Sequence, residues 1–489
     1  MSTARTRLLE TLRPRGDRTA IVAGDTAWSY AELDDAMRSW AAELRRRGVT
    51  RGDRVAALAP SSPQLIAAML GAYAIGAIWV PINTRYRAAE VGHIVQDATP
   101  SLMLCDPSLR GALPEQTPAV RDLAAPEPGQ VPVAALHDEV PAMLIYTSGT
   151  TGRSKGATLS YEAVVGGIEA LTGLWGWSQA DVLSLQLPLF HVHGLCIGVH
   201  GSLLAGMQMR VHARFDAGAV VRDVRDHGAS VFMGVPTMYT RLLEHLEAQP
   251  DDGAVLARAR LFTAGSAALP AADLETFERH TGHRILERYG MSETLITFSN
   301  PLAGERRPGS VGREVPGVRA RVVDDVGAPI ADGEVGELQV QTPAIMSGYW
   351  NDPTATEASF DGMWFRTGDV VVRDGDGYVR IVGRKSVDII KSGGFKISAR
   401  EIEEVLLMHP AVAEAAVVGL PDATWGERIE AAVCVREPVE PSVLVEHAAS
   451  SLADYKKPRV VHIVDALPRN ALGKLQKVAL KKTLSGRSP

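Results

Sequence analysis

The stretch Tyr146-Thr147-Ser148-Gly149-Thr150-Thr151-Gly152-Arg153-Ser154-Lys155-Gly156 constrains this chain more than any other. The apolar run from Ala142 to Tyr146 reads as a buried strand that delivers it. Glycines let a backbone approach an anion closely and turn its N–H groups inward. Interleaved hydroxyls and Lys155 add donors and charge. A plain surface turn also uses Gly, Ser and Thr, but rarely in so dense an alternation. The stretch reads as a phosphate loop. It is not the P-loop of NTPases, which puts glycine directly before the lysine and a hydroxyl after it. Here Ser154 precedes Lys155 and Gly156 follows.

Strand and helix patterns alternate ahead of that loop. Ser29, with Glu32 three residues on, is a capping-box start for a helix running to Gly48. Strands at Arg54 to Ala59, near Ile78, and at Leu102 to Cys105 alternate with helices from Ser62 and Ala88. The alternation predicts an α/β fold with a mainly parallel sheet. Pro107 to Asp138 is proline-rich and weakly periodic, and reads as a linker-like surface segment. From Ser310 short strands and turns predict a β-rich subdomain. At 489 residues the chain has room for about three domains. The expected division is a large domain over 1–383, β-rich from about 310, and a small α+β domain over 384–489.

Composition removes several classes of function. The net charge of −6 comes without a basic block, which argues against nucleic acid as a partner. Cys105, Cys196 and Cys434 are far apart in apolar settings, so buried, reduced thiols in a cytoplasmic protein are expected. Leu65 to Ile82 carries no charge and is long enough to span a bilayer. Gly71 and Gly76 interrupt it and Pro81 ends it, so a buried helix followed by a buried strand is the better reading. The N-terminus shows arginines but no apolar core of a signal peptide.

Four further stretches carry chemistry. In Phe190-His191-Val192-His193-Gly194 the two histidines are metal ligands, packing groups or pocket groups, and no third ligand stands at a recognisable spacing. Gly265-Ser266-Ala267 follows a strand, which puts Ser266 at a strand's C-terminal end, where ligands gather in open α/β sheets. Glu287-Arg288-Tyr289-Gly290-Met291-Ser292-Glu293 offers an aromatic, a glycine turn and a carboxylate. Glu293 is a ligand for a hard cation or a helix-start carboxylate. Arg288 matches a carboxylate's geometry, or is a structural salt bridge with Glu287 or another acid. Asp369, in Arg366-Thr367-Gly368-Asp369, can accept two donors.

Taken in order, these motifs resemble the adenylate-forming superfamily of acyl-CoA synthetases, adenylation domains and luciferases, over essentially the whole chain. The resemblance implies ATP-dependent activation of a carboxylic acid to an acyl-adenylate, then transfer to a thiol. It assigns Thr147, Ser148, Gly149, Thr150, Thr151, Gly152 and Lys155 to the ATP phosphates, with Ser292 beside them. Tyr289 goes to adenine, Asp369 to the ribose, Arg384 to the nucleotide, and Glu293 with Thr147 to Mg²⁺. Pro468-Arg469-Asn470-Ala471-Leu472-Gly473-Lys474 is similar to the family's catalytic-lysine loop, and Lys385 or Ser386 to its hinge. His191, Gly393 and Gly394 fall near the thiol channel. Arg288, His193 and Ser266 resemble the malonate pocket of malonyl-CoA synthetases. The implied partners are ATP, CoA and a small carboxylic acid. A ligase for another short or medium acid, or an adenylation enzyme loading a carrier protein, is the alternative.

Overall fold

The computed structural model describes residues 4–133, 140–147, 154–385, 388–392, 395–422, 425–452, 454–469 and 475–486. Packing divides the chain into two compact units. One comprises Met1–Arg319 and Val340–Met363; the other comprises Ala320–Gln339 and Trp364–Pro489.

Two sheets organise the first unit. The larger has nine strands with a parallel centre that runs Leu286–Met291, Leu261–Ala264, Val231–Gly234, Val182–Leu185, Gln208–Val211 and Thr19–Ala23. Antiparallel partners close both ends: Thr26–Ser29 beyond Thr19–Ala23, and Leu295–Ser299 beyond Leu286–Met291. The second has seven strands, with Arg54–Leu58 flanked in parallel by Ile78–Pro81 and Leu102–Cys105. Val231–Gly234 and Leu261–Ala264 in the first sheet, and Ile78–Pro81 and Leu102–Cys105 in the second, are buried along their length, as parallel sheets covered on both faces require.

The local signals explain the elements. Ser29 and Glu32 form the expected capping box: Glu32 N donates to Ser29 Oγ at 3.1 Å and Ser29 N to Glu32 Oε2 at 2.7 Å. The uncharged stretch resolves into the helix Pro63–Ile75 and the strand Ile78–Pro81. That helix is buried from Leu65 to Ile75 on every side, so its apolar surface faces protein. It crosses the helix Tyr30–Arg46 at Gly71, where a Cβ would lie 2.6 Å from Trp40 Cβ. Among the described residues no helix is long and apolar enough to cross a membrane.

Two expectations are corrected. Within the proline-rich segment, Val120–Asp122 adds an edge strand in parallel to Leu102–Cys105. Three residues without alternation carry no strand signal of their own; a preformed neighbour supplies the ladder. Cys105 and Cys196 are buried, but Cys434 is only half-buried.

In the second unit, Val335–Gln341, Trp364–Arg373 and Val379–Arg384 form the β-rich part, with Arg319–Val323 alongside. The C-terminal part is α+β. A long hairpin, Val412–Asp422 with Gly426–Val435, packs on the helix Ala399–Leu407, whose first turn is capped by Ser398. Lys477 joins this core through buried ion pairs to Asp388 at 2.5 Å and Glu403 at 2.7 Å.

Candidate active site

The stretch expected to bind phosphate falls between two strands that pair in antiparallel fashion. Pro141–Thr147 pairs with Lys155–Ser160, and Thr147 stands opposite Lys155. Ser148, Gly149, Thr150, Thr151 and Gly152 lie outside the described residues. The base of the hairpin is fixed by side chains. His93 Nε2 is 2.7 Å from Ser154 O, Tyr146 donates its hydroxyl to Asp97, and Trp350 packs against Gly156.

Lys155 is half-buried at the start of the return strand. Its Nζ lies 5.2 Å from the centre of the Tyr349 ring and 3.8 Å from Asp352 Oδ2. The hydroxyl of the same tyrosine donates to Glu293 Oε1 at 3.0 Å. Pairing of Gly348–Tyr349 with Ala157 and Thr158 brings these groups together. Met346 N donates to Glu293 O at 2.7 Å, which ties the two segments by backbone as well. Lysine and carboxylate, 138 positions apart in sequence, thus share one aromatic side chain.

Glu293 does not start a helix. It sits in the tight connection between Leu286–Met291 and Leu295–Ser299, where Gly290 opposes Ile296 and Leu295 adopts φ 49°. The hairpin holds the carboxylate buried, at 6% exposure, with Ser292 and Tyr289 half-buried beside it. The Tyr289 ring packs on Phe298. Among the described residues no group of three or more His, Cys, Asp or Glu could hold a metal. One buried carboxylate with a hydroxyl such as Thr147 fits Mg²⁺ carried in on nucleotide phosphates, since that ion rarely uses an all-protein cage.

Arg288 and Glu287 are neighbours on one strand and so face opposite ways. Glu287 Oε2 accepts from Gly309 N at 2.9 Å. Arg288 is 4% exposed, and its Nε and Nη2 have no hydrogen-bond partner among the described residues. It makes no ion pair there either, so the structural salt bridge is not formed. Burial pushes the guanidinium down to about 10, partly countered by Tyr239. It therefore remains charged at neutral pH.

His193 opens a widened helix, His193–His200. It is fully buried, and neither ring nitrogen has a partner among the described residues. Burial holds it well below the usual imidazole range, with Arg288 and then His191 adding repulsion. That coupling puts a neutral imidazole beside the buried cation. His191 is half-buried against Phe190. Ser266, the third expected pocket residue, is exposed and adopts φ 70°, a left-handed conformation that a serine occupies only under strain.

In the second unit Asp369 and Arg384 face each other across an antiparallel pair. Arg384 Nε lies 2.8 Å from Asp369 Oδ1, and its Nη1 donates to Thr367 O at 2.9 Å. Asp369 is buried at 4% exposure, and the contact with Arg384 fixes its position. Ser386, Gly393, Gly394 and Lys474 lie outside the described residues.

Sequence reasoning overlooked Tyr349, Tyr239 and Gly265. Tyr349 lies in Ser347-Gly348-Tyr349-Trp350, which shows no chemical signature until folding sets it between Lys155 and Glu293. Tyr239 is fully buried and donates to Thr263 O at 2.8 Å, at the strand end leading to Gly265.

Comparison with known proteins accounts for this arrangement. The AMP-binding enzyme family matches residues 8–350, and the AMP-binding enzyme C-terminal domain matches residues 401–474. The mitochondrial malonate–CoA ligase ACSF3 of Homo sapiens is 36% identical over 519 residues, covering 95% of this chain and 90% of its own. A sulfoacetate–CoA ligase of Cupriavidus necator is 37% identical over 468 residues, covering 91% and 89%. The crystal structure of ATP-bound MatB from Rhodopseudomonas palustris matches with a TM-score of 0.91 at 35% identity, over 99% of this chain and 98% of that one. A family match over most of the chain, and relatives of this identity over nearly its full length, establish that the chain belongs to the AMP-binding enzyme family, among its acid–CoA ligases.

Proposed function

We propose that this ligase activates malonate, joining it to CoA with conversion of ATP to AMP and pyrophosphate. The observation that carries the reading is Arg288: a buried guanidinium whose Nε and Nη2 have no partner among the described residues, beside a buried imidazole whose two nitrogens have none there either. A buried charge without a partner is costly unless a ligand supplies one. The carboxylate of malonate that does not react would do so, at a gain of up to about 4 kcal/mol for an effective dielectric near 20. A monoacid would leave the cation unpaired, at a penalty of roughly 3–5 kcal/mol for a truly buried site.

The reaction has two stages. The reacting carboxylate attacks the α-phosphorus of ATP, giving malonyl-adenylate and releasing pyrophosphate. The CoA thiol then attacks the acyl carbon and AMP leaves. In this reading Lys155 and the backbone of residues 147–152 neutralise and orient the phosphates. Tyr289 carries the adenine, Ser292 lies by the phosphates, and Asp369, oriented by Arg384, receives the ribose hydroxyls. Glu293 and Thr147 would hold Mg²⁺, which offsets negative charge on the phosphates when bound. Lys474 acts on the α-phosphate and acyl oxygen. His191, Gly393 and Gly394 border the path of the thiol. His193 and Ser266 hydrogen-bond the distal carboxylate. The domain junction near Lys385 and Ser386 serves as a hinge between stages, and the free cysteines favour a cytoplasmic setting.

The test is the catalytic efficiency of pyrophosphate release, with and without CoA, for malonate, methylmalonate, sulfoacetate, succinate, propionate and octanoate. Wild type should prefer malonate over propionate and octanoate by roughly a hundredfold or more, and Arg288→Met should lose that preference. Octanoate beating malonate in wild type, or malonate keeping its advantage in Arg288→Met, refutes the assignment. A sulfoacetate optimum would transfer the same pocket to a different diacid. Turnover only with a carrier protein would replace CoA as acceptor.

A further inference from the structure

We propose that Gly265 is the positioning residue for Arg288, so that the absence of a side chain at this one position decides whether the enzyme takes a diacid or a monoacid. The inference rests on the role given to Arg288 above and deepens it.

The geometry is direct. The three heavy atoms nearest to a Cβ built on Gly265 are Nη1, Cζ and Nε of Arg288, with Nε at 2.7 Å and the other two closer still. All three belong to the guanidinium, so the cation lies flat against the bare Cα. The backbone of Gly265 is not in the left-handed region, whereas the following Ser266 is. An alanine is therefore compatible with the local conformation, and the atoms nearest to its methyl group are those of Arg288. Nε and Nη2 have no hydrogen-bond partner among the described residues, so these two nitrogens are located by contact rather than by a polar network. The strand end that presents Gly265 is itself pinned, because Tyr239 donates its hydroxyl to Thr263 O. A methyl group at 265 occupies the place of the cation, and Arg288 must withdraw from it.

The experiment compares Gly265→Ala, Arg288→Ala and the double variant, using catalytic efficiency for malonate and for propionate, with thermal melts on each. Gly265→Ala should reduce malonate efficiency by about a hundredfold, as Arg288→Ala does, while propionate stays within about threefold of wild type. The double variant should be no worse than either single one, because both remove the same interaction. Losses that multiply, to roughly 10⁴ in the double variant, overturn the proposal. So does an equal loss of malonate and propionate in Gly265→Ala. If Gly265→Ala does not fold, the double variant, with the guanidinium removed, should fold and turn over propionate; its failure to fold also overturns the proposal. If wild type prefers an acid other than malonate, the malonate assignment fails by itself. The same non-additivity is then read on the preferred acid, so the two failures are separable.

Discussion

The hydroxyl of Tyr349 donates to Glu293 Oε1 at 3.0 Å, while the ring of the same residue lies 5.2 Å from Lys155 Nζ. A single side chain therefore orients a buried carboxylate and flanks the cation at the start of the strand Lys155–Ser160. Tyr349→Phe keeps the ring and removes the donor. A hydrogen bond to a charged group is worth about 1.5–3 kcal/mol, so adenylation should slow by roughly 10- to 100-fold. ATP–pyrophosphate exchange measures this, and the KM for the acid should change little. Exchange at the wild-type rate would show that Tyr349 does not position Glu293 for the reaction.

Lys474 is expected to serve the first stage alone. Lys474→Ala should reduce adenylate formation by roughly 10²–10³-fold, yet convert supplied malonyl-adenylate and CoA to the thioester at close to the wild-type rate. Equal losses in both half-reactions would end the separation of roles.

Ser386→Pro should slow thioester formation more than adenylation, since a proline restricts rotation about a short junction. Lys385→Pro is a less clean variant. It deletes the N–H that donates to Gly368 O at 2.9 Å, and the ammonium it removes pairs with Glu337 at 2.8 Å. That variant should lower the melting temperature as well. CoA-dependent turnover unchanged in Ser386→Pro would argue against a hinge there.

Stability should fall as pH drops below neutrality, and His200 should contribute. It is fully buried, stacks on Tyr73, and Nδ1 lies 2.9 Å from Leu195 O. Burial pushes it down to about 4. The sign follows from linkage. The unfolded chain takes up a proton near pH 6.5 while the native protein stays neutral, so native stability is full above that pH and is lost as pH falls toward 4. Between pH 8 and pH 5 the contribution is about 2 kcal/mol. Urea midpoints at both pH values in wild type and His200→Gln measure it. The variant should show the smaller loss; an equal loss in both proteins would mean that His200 plays no part.

Much of the fold was legible in sequence because its signals are local. Ser29 with Glu32, the apolar run to Tyr146, and Gly76 at the end of the helix Pro63–Ile75 each act within a few residues, whereas Gly71 does not interrupt that helix and serves its crossing with Tyr30–Arg46. The glycine- and hydroxyl-rich stretch after Tyr146 is likewise a local signal, since its donors and glycines are adjacent in the chain. The strand Val120–Asp122 was not legible, because its ladder belongs to a neighbour already in place.

The chemistry of the candidate site divides along the same line. The types of residue at 155, 288, 293 and 369, and their order, are properties of the sequence and identify an adenylate-forming chain. Whether Arg288 is a structural ion pair or a waiting cation depended on which way its strand faced. Alternation sends Glu287 to Gly309 and Arg288 into the interior, and only the packed sheet buries the guanidinium and leaves its Nε and Nη2 without a partner among the described residues. The seat of that cation on Gly265 and the sharing of Tyr349 by Lys155 and Glu293 were likewise decided by tertiary structure. Both are contacts between segments far apart in the chain, and desolvation and steric exclusion at such contacts exist only once the sheets have assembled.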